Sequence, residues 1–233
     1  MPLTDLPQIE REPLWDRVYT ELRDALLGGK FSPGEKITIR SIASAMGISP
    51  TPVRDALTRL IAERVLDQGP QGSAIVPAIT AETFRQIVAV RSNLEGMATA
   101  EAARVATPED VAEGKRRLEL LVQLIDRGEF DTYLDRHREF HFHIYRTARM
   151  GVLMETIENL WLRSGPVLNL VVPDYVLRRR GSDFHRGALE AIEAHDPKGA
   201  RSAIVADIEA AGQYILSLAD AAGVIRRPEA APA

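Results

Sequence analysis

The sequence predicts a mainly α-helical protein in two parts, a helix-turn-helix closed by a small β-hairpin and then an antiparallel all-α bundle of about six helices. Three observations carry this. Two helical patterns, residues 39–46 and 50–61, meet at Gly47 and are followed by two short extended runs around a Gly/Pro/Gln turn. From Thr80 onward the apolar residues recur at helical spacing between caps and stops, with no convincing strand. Hydrophobic residues make up 45% of the chain and aromatics only 6%, which suits a helical core of Ala, Leu, Ile and Val. The 233 residues divide by pattern at 1–77 and 78–222, leaving a tail, 223–233, expected to be disordered.

Residues 1–12 are polar and Pro-bearing and read as a mobile arm. Leu14, Val18, Leu22, Ala25 and Leu26 give the first helix its stripe, and Gly28-Gly29 stops it. Thr38 is positioned to cap the next helix, whose apolar residues are Ile39, Ile42, Ala43 and Met46. Gly47 supplies the sharp turn. Ser49 is the expected cap of the following helix, and Pro50 fits its first position, where a missing N–H costs nothing. Val53, Ala56, Leu57, Leu60 and Ile61 lie on one stripe, leaving Thr51, Arg54, Asp55 and Thr58 on the open side. Residues 65–67 and 74–76 flank the turn of the hairpin, or wing. The link 77–79 is short, so the two parts should be mechanically coupled.

In the second part, helices are expected over residues 80–106, 107–126, 130–149, 152–170, 182–194 and 196–221. Thr107-Pro108 and Asp196-Pro197 pair a cap with a Pro just inside, Gly128 and Gly151 interrupt, and Pro166 marks a kink. Residues 173–181 form a basic connector with Arg178, Arg179 and Arg180.

Composition removes several classes of function. With no cysteine, disulfides and thiolate zinc sites are excluded, and a reducing cytoplasm is the simplest compartment. No apolar run is long enough to span a bilayer, and the N-terminus lacks a signal-peptide core. The net charge of −4 does not advertise a nucleic-acid binder, and residues 1–77 hold nine Lys/Arg against ten Asp/Glu. The basic excess is local. Lys36, Arg40, Arg54, Arg59 and Arg64 face only Asp55 and Glu63 within residues 36–64, which is enough to position phosphates. Helix, turn, helix and wing together form a DNA-reading layout, a winged helix-turn-helix whose exposed first-turn residues meet base edges and phosphates.

The stretch PGEKITIRSIASAMGISPTPVRDALTRLIAERVL resembles the winged helix-turn-helix of GntR-family transcription regulators, with PVRDAL as its sharpest element. The resemblance places the DNA contacts on Arg40, Ser49, Thr51, Arg54 and the wing-tip residues Gln71 and Gly72. Many relatives carry Arg where this chain has Pro50, so that contact is expected to be absent. The resemblance implies a metabolite-responsive regulator, most often a repressor, that binds a double-stranded DNA operator as a homodimer.

His137 and His141 are four apart, so on a helix they stack on one face and can meet one ion. HREFH and FHRGALEAIEAHDPKGARSAIVADI resemble the ligand-binding FCD domain of the FadR-like branch, in many members of which an Asp and three His bind a divalent metal. The family order is Asp, His, His, His. Here it becomes His137, His141, His185, Asp207, which exchanges the ends but keeps three imidazoles and one carboxylate. Such donors suit Zn, Ni, Mn or Fe. Imidazoles of ordinary pKa would lose the ion below about pH 6. His143 and His195 are expected to be non-ligands.

Arg91 and Glu95 match an Arg-three-Glu pattern in which the Arg helps hold a small carboxylate effector; the alternative is an ordinary surface ion pair. Trp161, Arg163 and Asn169 are further candidates for the same cavity, and Met150 stands where relatives usually have Asn. Two other functions compete. One is a metal-dependent hydrolase or isomerase with an N-terminal interaction module, but H-R-E-F-H has its Glu one residue late for a zincin base. The other is a DNA-binding protein whose bundle only dimerises.

Overall fold

The computed structural model describes residues 13–177 and 180–225. Helix α1 (Leu14–Leu27) ends at Gly28-Gly29, with Gly29 at φ 63°. Strand β1 (Lys36–Ile37) leads into α2 (Ile39–Met46), where the Thr38 side chain accepts the Ser41 N–H at 3.1 Å. Gly47 then turns the chain in the left-handed region, φ 65°, a conformation a β-carbon would oppose. Helix α3 (Pro50–Ala62) follows. Ser49 is its N-cap residue in backbone conformation but makes no capping hydrogen bond, unlike the sequence expectation.

The wing is larger than a hairpin. β2 (Asp67–Gln68) and β3 (Ala74–Ile75) pair as expected, each one residue shorter than the sequence suggested and β2 starting two residues later, but β3 also pairs with β1, giving the antiparallel order β1-β3-β2. The β1 segment is only two residues long, too short for any alternation to announce it. The buried stripes of α1 (Val18, Tyr19, Leu22, Leu26) and α3 (Val53, Ala56, Leu57, Leu60) meet in one core with Ile37, Ala74 and Val76.

The second core belongs to α4 (Ala81–Val105), α5 (Pro108–Arg127), α6 (Phe130–Thr147), α7 (Gly151–Leu168), α8 (Asp174–Leu177), α9 (Arg180–Glu193) and α10 (Pro197–Leu216). Thr107 and Asp110 close a capping box on α5, and Asp196 caps α10 by accepting the Lys198 N–H. Pro166 falls in the last turn of α7, which gives way two residues later to a 3-10 turn, Asn169–Val171. The connector expected over 173–181 contains the single-turn α8, a seventh helix beyond the expected six; Arg178 and Arg179 lie outside the described residues, as do residues 1–12 and 226–233. Two isolated bridges, Thr80 with Val224 and Ala219 with Ile225, return the end of the described chain to the start of α4.

The two cores touch. Leu162 of α7 is buried in the core of the helix-turn-helix, Arg23 of α1 is ion-paired with Glu158 of α7 at 3.2 Å, and Gly165 lies directly under the carbonyl of Leu26.

Candidate nucleic-acid interface and metal centre

The residues expected to contact DNA are all exposed. Arg40 is in the first turn of α2, Ser49, Thr51 and Arg54 are at the start of α3, and Gln71 and Gly72 form the wing tip. Both wing-tip residues have positive φ, 57° and 75°, which folds the tip tightly. A β-carbon on Gly72 would lie 3.9 Å from Ile39 Cδ1, so the tip sits beside the first turn of α2. Arg59, counted with the local basic excess, does a different job. Its guanidinium lies 3.9 Å over the Tyr19 ring and pairs with Glu63 at 3.0 Å and Asp16 at 3.4 Å, tying α3 to α1. Tyr19 donates to Glu63 at 2.6 Å, and burial together with that carboxylate pushes its hydroxyl up to about 12.

In the bundle, α6 supplies His137 and His141, α9 supplies His185 and α10 supplies Asp207. One ligand atom from each lies within 4.8 Å of all the others. His141 Nε2 is 3.1 Å from both His137 Nε2 and His185 Nε2, and Asp207 Oδ2 is 3.6 Å from His141 Nε2 and 3.4 Å from His185 Nε2. Adjacent ligands bound at about 2.1 Å to one ion lie roughly 3.0–3.4 Å apart, so this donor set fits a metal with little rearrangement.

The protonation of the site follows from its hydrogen bonds. Tyr145 donates its only proton to Glu95 Oε2 at 2.5 Å, so its oxygen is left to accept from His141 Nδ1 at 2.9 Å. That fixes the His141 tautomer with Nδ1 protonated and turns the Nε2 lone pair toward the cluster. Burial pushes His141 well below the ordinary imidazole value, and burial with the facing His185 pushes His137 down to about 3. Burial alone would raise Asp207, but His185, His137 and Arg91 outweigh it and hold the carboxyl below its usual range. Unprotonated imidazoles at His137 and His141 beside a carboxylate are what a cation needs.

Beyond the cluster, Arg91 and Glu95 are 4% and 0% exposed, which removes the surface-pair reading. Arg91 Nε donates to Glu95 Oε1 at 2.6 Å and its guanidinium sits 4.6 Å over the Trp161 ring. Burial opposes the charge on Arg91, but Glu95 more than restores it. Glu95, Tyr145 and His141 thus form a continuous line from the guanidinium to the cluster. The sequence reading missed Tyr145, although its place four residues after His141 on the same helix was a usable signal.

Arg91, His137, His141 and Asp207 line a cavity of about 60 Å³. Trp161 is in its wall, as anticipated, and so is Leu27 from the end of α1, which was not. Arg163 instead lines a separate pocket with the wing residues Asp67 and Gln68 and the 77–79 link; the Asn169 side chain lies outside what is described. His143 and His195 lie apart from the cluster, within 2.8 Å of the Asp110 carbonyl and 2.9 Å of the Ala103 carbonyl respectively. No helix among the described residues is long and apolar enough to cross a membrane.

Comparison with known proteins matches both parts of the chain to family models. Residues 14–76 match the model of bacterial regulatory proteins of the gntR family, and residues 86–210 match the FCD domain. The HTH-type transcriptional regulator McbR of Escherichia coli strain K12 is 34% identical over 188 residues, covering 79% of this chain and 85% of that protein. Its solved structure, E. coli McbR/YncC, superposes with a TM-score of 0.81 at 31% identity, covering 86% of this chain and 95% of that one. A probable D-xylose utilization operon transcriptional repressor of Paenarthrobacter nicotinovorans is 25% identical over 197 residues, 83% of this chain and 86% of that protein.

Proposed function

This chain belongs to the gntR family of bacterial regulatory proteins, carries the FCD domain and is a DNA-binding transcriptional regulator; from that premise we propose that it is a repressor released by a small carboxylate that binds beside a divalent metal ion. The observation that carries the metal and effector reading is the convergence of His137, His141, His185 and Asp207, of which His137, His141 and Asp207 line an otherwise largely apolar cavity. These four would hold the ion, which would act as a Lewis acid toward a carboxylate oxygen. Arg91 stands in the same wall, its charge already half committed to Glu95, and orients the acid with its remaining N–H groups. The name of the Paenarthrobacter relative supports repression.

Operator contact falls to Arg40, Ser49, Thr51, Arg54, Gln71 and Gly72, with the two arginines carrying most of the charge. A homodimer is favoured by the two-fold symmetry of operators and by an apolar stripe of Val90, Leu94 and Met97 on α4, of which Val90 and Met97 are 46% and 45% exposed. The cytoplasm is the compartment that suits a cysteine-free DNA-binding regulator. Residues 1–77 and 78–222 are read as its two working parts. Signal passes between them through α7, which presents Trp161 to the cavity and Leu162 to the core of the reading domain.

The test is to select bound DNA from a random pool and compare wild type with Arg54→Ala on the selected sequence. A loss of about 1–3 kcal/mol with the fold retained is expected if Arg54 reads a base. Equal affinities across a salt titration would remove Arg54 from the interface.

A further inference from the structure

We propose that the junction between the reading domain and the bundle holds a second binding site, separate from the metal cluster, for a small phosphate monoester gripped by Arg64 on one side and Arg163 on the other. The site is a cleft of about 390 Å³ whose wall comes from both parts of the chain. Arg64 lies just past the end of α3, Gln68 is in β2, Thr83 is in the first turn of α4 and Arg163 is on α7, with the 77–79 link completing the wall. Buried Val65, Leu66, Ile79 and Ile87 give the cleft its apolar surface.

The two guanidiniums are available. Among the described residues, the side chains of Arg64 and Arg163 have neither an ion pair nor a hydrogen-bond acceptor. The arginines that hold the two parts together are different: Arg59 is paired with Glu63 and Asp16, and Arg23 with Glu158. Asp67 stands in the same wall as Arg64 and Arg163 but pairs with neither, so two cations and one carboxylate leave the cleft at +1. An anion is the ligand such a cleft favours. A phosphate monoester directs its oxygens tetrahedrally and can accept from guanidinium forks on two walls, whereas a carboxylate offers two oxygens in one plane. The apolar surface then receives the organic body of the ester.

Neither local structure nor operator contact accounts for Arg64. Its backbone is in the left-handed region, φ 57°, directly after the α3 cap residue Glu63, and its N–H bonds the Ile61 carbonyl at 3.0 Å. Gly or Asn takes up that conformation more readily, so the turn gives no reason for an arginine. Arg64 also follows Arg54 by ten residues, which at the helical rise sets it about 15 Å from the reading residues of the first turn. Its place suits a coupling role instead. An ester held between Arg64 and Arg163 ties the reading domain to α7, the helix that also buries Leu162 in the reading-domain core. Binding therefore shifts operator affinity, and operator shifts ester affinity by the same factor.

The experiment titrates the full-length protein calorimetrically with phenyl phosphate, inorganic phosphate and benzoate. It does so in wild type, Arg64→Gly, Arg163→Gln and the cluster variant His141→Ala/Asp207→Ala. Phenyl phosphate should bind wild type more tightly than either of the other two probes. Arg64→Gly and Arg163→Gln should each weaken it by about tenfold or more, as loss of a charged hydrogen-bonding partner does. The cluster variant should bind it as wild type does. Because Gly suits the backbone at position 64, Arg64→Gly should melt no lower than wild type, which separates lost binding from lost structure. Saturating phenyl phosphate should change the operator affinity of wild type and leave that of Arg64→Gly unchanged. Affinity for phenyl phosphate that is absent, survives in both arginine variants or disappears in the cluster variant would overturn the site. Benzoate binding equally well would overturn the phosphate assignment, and inorganic phosphate doing so would overturn the ester. An operator affinity indifferent to the ester would overturn the coupling. Arg64→Gly binding operator more weakly with no anion present would make Arg64 a DNA contact and overturn the proposal.

Discussion

Replacing Gly165 by Ala would test how the two parts of the chain are held together. A β-carbon at Gly165 would lie 2.5 Å from the Leu26 carbonyl oxygen, 3.2 Å from its carbon and 3.4 Å from Leu27 Cα. Non-bonded contacts of this kind settle near 3.5 Å, so α1 and α7 must part by about 1 Å. The Leu26 carbonyl cannot turn away freely, because it accepts the Gly29 N–H at 3.0 Å where α1 ends. Over-packing of this kind costs about 1–3 kcal/mol, and at roughly 2–4 °C per kcal/mol in a chain of this size that lowers the melting midpoint by about 2–12 °C. The consequence is also functional, since the same separation withdraws Leu162 from the reading-domain core and Leu27 from the cavity wall. Scanning calorimetry on wild type and variant, with operator titrations beside it, reads both effects. The midpoint should fall while the intrinsic operator affinity of the untouched reading face survives. A variant that melts within about a degree of wild type would show that the α1–α7 contact does not carry the coupling assigned to it.

Other expectations follow from the same geometry. Asp207→Ala should lose metal and effector response together, measured as metal per chain and as the effector's influence on operator binding. The exchange His137→Asp with Asp207→His keeps three imidazoles and one carboxylate and should retain metal, an outcome that packing alone would not require. Arg91→Ala leaves Glu95 buried without its cationic partner, with only the Tyr145 hydroxyl donating to it, and should destabilise the bundle by about 3–5 kcal/mol in denaturant unfolding, more than any exposed ion pair here. His137 has its folded pKa lowered to about 3 against an ordinary value near 6.5, so neutral folded histidine is favoured above that window. The metal-free protein should therefore keep this contribution above about pH 6.5 and lose it progressively as pH falls toward 3, seen as a falling melting midpoint. Midpoints that stay flat across that range would contradict the burial of an uncharged His137.

What the sequence disclosed, and what it withheld, follows from the range of the interactions. Helices declare themselves locally, through Thr38, Thr107 and Asp196 as caps and through the stripe Val53, Ala56, Leu57, Leu60, so nearly every helix was legible. The two-residue β1 owes its existence to a partner almost forty residues away and carries no periodicity of its own. The i, i+4 histidines were visible because helical geometry relates them, while His185 and Asp207 entered only through resemblance to a family. Nothing local distinguishes the buried Arg91–Glu95 pair from Arg59–Glu63, which has the same spacing but half-exposed side chains. Burial is decided by what packs over a face, here Trp161 on α7, and that is a tertiary fact. Gly165 shows the same limit, since its small size matters only because α1 ends upon it.

The central claim is that four side chains from three helices enclose one ion, and metal content tests it most directly. Protein purified without chelator and measured by elemental analysis should hold about one divalent metal per chain, as a single closed site demands. His141→Ala/Asp207→Ala, which removes one imidazole and the only carboxylate of the cluster, should hold almost none while still binding operator. Full occupancy in that double variant would place the ion elsewhere, and a wild type that takes up no metal would make these four residues ordinary members of the bundle.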